Sequence, residues 1–153
     1  MVAGNSPAAA LRGRRSFIAG CVVLILFSSV HTIPMFIGLF SEPTAPLEVE
    51  ARRAMTAVAV DIGPIRSDWT KLNHLLSTSY SALLYFVAAV NLVALPAVIA
   101  HGRLRALAVV NMVFSAVLLG LSAVFMFPPP GVFALAAAVC FACAAAGAGA
   151  SRS

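Results

Sequence analysis

His31, in the first apolar run of the chain, is the side chain best placed to do chemistry. It sits about nine residues from the outer end of that run, roughly 13 Å deep at about 1.5 Å per residue if the run is helical. Pro34 follows it and has no backbone N–H, so the carbonyl of Val30 loses its helical donor. An imidazole beside a free carbonyl forms a small polar pocket; the plainer alternative is a neutral His31 hydrogen-bonded to a neighbouring helix. Pro96 frees the carbonyl of Leu92 in the same way, close to Asn91. Haem ligation needs two histidines at matched depth on facing helices. His74 sits near the outer surface, His31 about ten ångströms lower and His101 on the opposite side, so no pair matches. His31 and Met35 share a helical face, but two soft ligands without a third do not make a copper site. No metal and no cofactor is expected.

Cys140-Phe141-Ala142-Cys143 is a C-x-x-C motif inside the last apolar run. Quinone-linked thiol oxidoreductases of the vitamin K epoxide reductase type also place such a pair in a helix. They need a second, shuttle pair in an outer loop, and Ser41–His74 contains no cysteine. The pair lies near mid-bilayer, where the low dielectric disfavours a thiolate nucleophile. Ala138, Ala142 and Ala146 repeat at four-residue spacing, which lets backbones approach closely, and cysteines fit there as small apolar filler. Membrane thiol or quinone redox chemistry through Cys140 and Cys143 stands as an alternative function.

Polar side chains inside lipid are costly unless they face the bundle interior. The second run carries Asn73, Ser77, Tyr80 or Ser81, Ala88 and Asn91 on one helical face. The third offers Asn111, Ser115 and Ser122, and the first offers Ser28, His31 and Thr32. Such stripes either hold helices together, at roughly 0.6 kcal/mol per contact, or line a cavity. For a cavity, the expected lining is His31, Asn73, His74, Tyr80, Ser81 and Asn111. The sequence has no phosphate-binding glycine loop, metalloprotease motif or intramembrane acidic pair. No charged residue lies within the apolar runs, which argues against a proton-coupled transporter. An oligomeric transporter or channel subunit remains a second alternative.

The elements that must position these residues follow from composition. Of the 153 residues, 61% are hydrophobic and 10% charged, with mean hydropathy +1.00 and net charge +5. A soluble domain carries about a quarter charged residues, so the solvent for this chain is lipid. Four apolar stretches stand out, at about Phe17–Phe40, Leu75–Ala100, Ala106–Phe127 and Val132–Ala150. Each is near the roughly 20 residues a helix needs to cross the hydrocarbon. The runs are continuous rather than alternating, which disfavours a barrel, and helices satisfy their own backbone groups in lipid. The expectation is one all-α domain over 17–150, a four-transmembrane-helix bundle. A disordered basic tail over 1–16 precedes it, and a short tail over 151–153 follows.

All five acids (Glu42, Glu48, Glu50, Asp61, Asp68) lie between the first and second runs, with Arg52, Arg53, Arg66 and Lys71, giving that segment a net −1. The other six basic residues are Arg12, Arg14, Arg15, Arg103, Arg105 and Arg152. The positive-inside rule then puts both termini and the His101–Arg105 loop in the cytoplasm, with Ser41–His74 and the Pro128–Gly131 turn outside. No soluble basic domain exists to bind nucleic acid. Cys21 resembles a lipoprotein box, but only two residues separate Ser16 from Ala19, too few for a signal peptide. Arg14-Arg15-Ser16-Phe17-Ile18 resembles a twin-arginine signal, yet a long run and three more spans follow, so an uncleaved anchor is expected.

The outer segment reads as a short amphipathic helix. Thr44 can cap it, with Pro46 and Glu48 in its first turn. Leu47, Ala51, Ala54, Met55, Val58 and Ile62 form one face, and Glu48 with Arg52 makes an i,i+4 pair. Gly63-Pro64 ends it, and Ser67 or Asp68 caps the second spanning helix, with Trp69 at interfacial height.

Gly20 with His31, the Arg66-Ser67-Asp68-Trp69 step, the Ser79-Tyr80-Ser81 triplet and Phe127-Pro128-Pro129-Pro130 occur together in this order. Over about residues 17 to 146 the chain resembles a family of small, uncharacterised four-helix bacterial integral membrane proteins. The tryptophan at the helix entrance and the Phe-Pro-Pro turn are the more specific marks. The resemblance implies the fold and says little about activity; the expected location is the cell inner (plasma) membrane. The expected function is a bundle that packs against lipid, a membrane protein partner or a second copy of itself. A small apolar ligand could enter from the outer leaflet.

Overall fold

The computed structural model describes residues 7–125 and 128–149. In chain order the elements are α1 (Pro7–Phe40), α2 (Pro46–Ala57), β1 (Ala59–Ile62), β2 (Ile65–Asp68), α3 (Trp69–Ala100), α4 (Leu104–Val124) and α5 (Pro128–Gly149). Four of the helices, α1, α3, α4 and α5, are long and apolar enough to cross a membrane. The chain is a multi-pass, all-α membrane protein with a short helix between its first two spans.

Several boundaries differ from expectation. α1 begins at Pro7, so the tail from there to Ser16 is helical rather than disordered. α3 starts at Trp69, directly after the expected cap and six residues before the apolar run begins at Leu75. The Pro128–Gly131 segment is the first turn of α5, not a turn between helices; a first turn tolerates proline because its N–H groups have no intrahelical acceptor. Phe127 of the Phe-Pro-Pro mark, the tail end at 1–6, Ala150 and the 151–153 tail lie outside the described residues. The described residues group into two compact units, one of those up to Phe27 with those from Tyr85 onward, the other Ser28–Leu84.

In the first unit, buried side chains recur at alternating spacings of three and four. They are Phe17, Cys21 and Leu24 on α1, with Phe27 three residues further on; Ala88, Asn91 and Leu95 on α3; Leu104, Ala108, Asn111, Ser115 and Leu118 on α4; and Ala134, Ala137, Phe141 and Ala144 on α5. This 3.5-residue period is that of knobs-into-holes packing, and the small residues let backbones approach. Phe17 meets Phe141 edge to face at 5.4 Å, and Phe27 stacks on Phe133 at 5.3 Å. A methyl group on Gly13 would stand 3.2 Å from the Ala144 carbonyl oxygen. α1 and α5 are therefore antiparallel neighbours, and Gly131 beside Ser122 with Gly149 beside Arg105 makes α4 and α5 antiparallel too. α3 turns into α4 through Gly102, whose φ of +64° suits glycine. There Arg103 N–H donates to the Val98 carbonyl at 2.9 Å and Gly102 N–H to Ile99 at 3.0 Å, the two bonds of a Schellman ending.

The second unit holds α1 from Ser28, α2, the hairpin and α3 up to Leu84. The expected helical face through Val58 and Ile62 is corrected: α2 stops at Ala57, because Val58 is already extended. β1 and β2 then pair antiparallel, with Ala59 opposite Asp68 and Ile62 opposite Ile65. Gly63, at φ +59°, supplies the first position of the two-residue turn. Trp69 N–H adds one more rung by donating to the Val58 carbonyl at 3.1 Å. The cap of α2 is Ala45 rather than Thr44, with no side-chain bond. Lys71 N–H donates to Asp68 Oδ1 at 2.9 Å, so Asp68 caps α3.

Candidate functional site

The ion pairs among the described residues are Asp61–Arg66 and Asp68–Lys71, so the expected Glu48–Arg52 pair does not form. Arg52 reaches back from α2 to the end of α1 instead, donating to the Gly38 carbonyl at 2.8 Å and to Ser41 at 3.5 Å. A cation on carbonyls that lack helical donors, at the negative end of the helix dipole, is favourable. α2 itself has no buried residue, and Leu47 is 78% exposed. Its apolar stripe is therefore left uncovered by the second unit.

Within the second unit, polar groups line the contact between α1 and α3. Ser28 Oγ donates to the Ser81 carbonyl at 2.8 Å, and Thr32 Oγ1 to the Ser28 carbonyl at 2.7 Å. The His31 ring lies edge-on to Tyr80, centroids 5.9 Å apart. Thr78 Oγ1 lies 3.9 Å from Met35 Sδ and 2.7 Å from the His74 carbonyl. Among the described residues two buried polar atoms, Ser81 Oγ and His74 Nδ1, have no hydrogen-bond partner.

Of the six expected lining residues, His31 and Tyr80 are in contact, and Ser81 and His74 belong to the same unit. Asn73 belongs to that unit too, with an exposed side chain. Asn111 is engaged in the first unit, where Asn91 Nδ2 donates to its Oδ1 at 2.6 Å and its own Nδ2 donates to Asn91 Oδ1 at 3.2 Å. Asn111 also donates to the Leu107 carbonyl at 2.9 Å. Two amides that satisfy each other in this way leave little for a ligand. Asn91 and Asn111 are equidistant from His101, so a helical hairpin turning at Gly102 brings them level. The spacing carried that signal.

No protein-family model, curated protein or solved structure matches the chain. The site must be read from its own geometry.

Cys21 is buried in the α1 seam, Cys140 is half-buried and Cys143 is exposed on the outer side of α5, all as free thiols. Phe141, between the last two, takes the seam position. Among the described residues no cluster of three histidines, cysteines or carboxylates stands together. Charge divides cleanly: all five acids belong to the second unit, while Arg12, Arg14, Arg15, Arg103 and Arg105 belong to the first. There Arg105 lies over the end of α5, its guanidinium 3.6 Å from where a Gly149 methyl would be, matching the dipole at that end. At the entrance to α3, the Lys71 backbone N–H and ammonium hold the Asp68 carboxyl below the usual carboxylate range.

Proposed function

We propose that this protein is a non-catalytic integral protein of the bacterial inner membrane, a bundle that packs against lipid and a partner subunit or second copy. Both termini face the cytoplasm. The reciprocal Asn91–Asn111 amide pair carries this reading. In the first unit Asn91, Asn111, Ser115 and Ser122 bond to one another or to their own helix, and outward positions such as Val93 and Val110 are apolar. In lipid such bonds serve helix adhesion. The orientation is supported by the arginines of the first unit: Gly13 beside Ala144 and Arg105 beside Gly149 bring the start of α1, the Gly102 turn and the end of α5 to one basic end. The uncovered stripe of α2 supports a lipid or partner contact there.

A small apolar ligand entering from the outer leaflet is a second reading, favoured by the unpartnered Ser81 Oγ and His74 Nδ1 in the unit that holds His31 and Tyr80. Native mass spectrometry in mild detergent tests both. Packing alone gives the chain mass, or a dimer or partner mass, with lipid adducts that His31→Ala leaves unchanged. A bound small molecule lost on His31→Ala establishes the ligand reading. Cys140 and Cys143 changing redox state on addition of a quinone would contradict the non-catalytic assignment.

A further inference from the structure

We propose that the groove between α1 and α3 at the basic end of the first unit binds one anionic phospholipid, its headgroup phosphate on Arg14 and an acyl chain against the apolar wall. The groove holds about 350 Å³ and is lined by Arg14, Ile18, Leu92, Leu95, Pro96 and Ile99. Arg14 is exposed and Ile18 lies one helical turn further into α1. Leu92, Leu95, Pro96 and Ile99 follow at spacings of three, one and three along α3, covering about 10 Å of helix at about 1.5 Å per residue. A single cation above a continuous apolar wall matches a lipid at the interface, and basic pockets between spanning helices on the cytoplasmic side take anionic headgroups.

Charge favours an anionic lipid over a zwitterionic one. Arg12, Arg15, Arg103 and Arg105 share the unit with Arg14, and no acid does. Their field is uncompensated and attracts anions. A free soluble anion would leave the five apolar lining residues unused. A partner helix is about 10 Å wide, and a groove near the lower end of ligand-pocket volumes, about 300 Å³, does not accept one.

The inference rests on the proposed orientation only for the leaflet that supplies the lipid; binding in detergent tests the site whichever way the chain faces. Purified protein is mixed with equal amounts of dioleoyl phosphatidylglycerol and dioleoyl phosphatidylcholine, and adducts are counted by native mass spectrometry. Phosphatidylglycerol adducts should predominate. Arg14→Gln should cut them roughly fivefold, the effect of one interfacial arginine. Ile18→Trp, which fills the groove and keeps the charge, should also deplete them, while Arg53→Gln in the second unit should not. Unchanged circular dichroism confirms that the variants are folded. Equal retention of both lipids, or phosphatidylglycerol adducts indifferent to both groove variants, would overturn the assignment.

Discussion

Phe141 fills the space above Gly20, where a methyl group would stand 2.7 Å from its ring. The ring cannot swing away freely, because it is fully buried and packed on Phe17. Gly20→Val should therefore destabilise the bundle by about 1–3 kcal/mol, the usual range for overpacking. Gly120→Ala, facing open space, should be neutral or slightly stabilising, since alanine favours helix. Thermal unfolding in one detergent measures both. At the asparagine pair, Asn91→Leu removes two bonds and leaves part of the Asn111 amide unpaired. A loss of about 1 kcal/mol is expected, and Asn91→Leu with Asn111→Leu should cost less than the two single changes added together. At this scale the sequence is half legible. Type and spacing identify Asn91 and Asn111 as interior, but the exposure of Asn73 depends on which side of α3 is covered. Its periodicity alone cannot tell.

The helices are legible as elements because each spanning run is long, apolar and uncharged. Their ends are less so. Val58 and Ile62 continue the helical face of Leu47, Ala51, Ala54 and Met55, but Val58, Val60 and Ile62 also alternate as a strand does, and β-branched residues around a two-residue Gly63-Pro64 turn favour the hairpin. Arg52 illustrates a second limit, since an i,i+4 partner is visible in sequence and a helix end brought close by the fold is not. Arg52→Met should release the last turn of α1 without unfolding the chain. Hydrogen exchange at Gly38 to Ser41 should quicken several-fold, as expected for losing about 0.5–1 kcal/mol at a helix end. Asp68 makes a pH-dependent counterpart at the start of α3. Its carboxyl is held low by Lys71, so its contribution is complete above the unfolded carboxylate range and is lost as pH falls through the lowered folded value. Amide exchange at Thr70 and Lys71, corrected for intrinsic rate, should therefore accelerate on acidification, and Asp68→Ala should abolish that pH dependence.

For the molecule as a whole, sidedness is decided by charge placement rather than by total charge. Short flanks rich in arginine stay in the cytoplasm. In the first unit the antiparallel contacts collect Arg12, Arg14, Arg15, Arg103 and Arg105 at one end, and the acids lie on the segment between α1 and α3. The gathering of these arginines at one end was readable from sequence, because two spanning helices separate the Arg12, Arg14 and Arg15 group from Arg103 and Arg105 and so bring the two groups back together. The division into two units was not, since apolar runs mark where a helix crosses and not how tightly neighbours pack along it.

Reporter fusions after Gly63 and after Gly102 test the four-span arrangement most directly. The account predicts a periplasm-active reporter to work only at Gly63 and a cytoplasm-active reporter only at Gly102. The same side for both positions, or the reverse assignment, would contradict it.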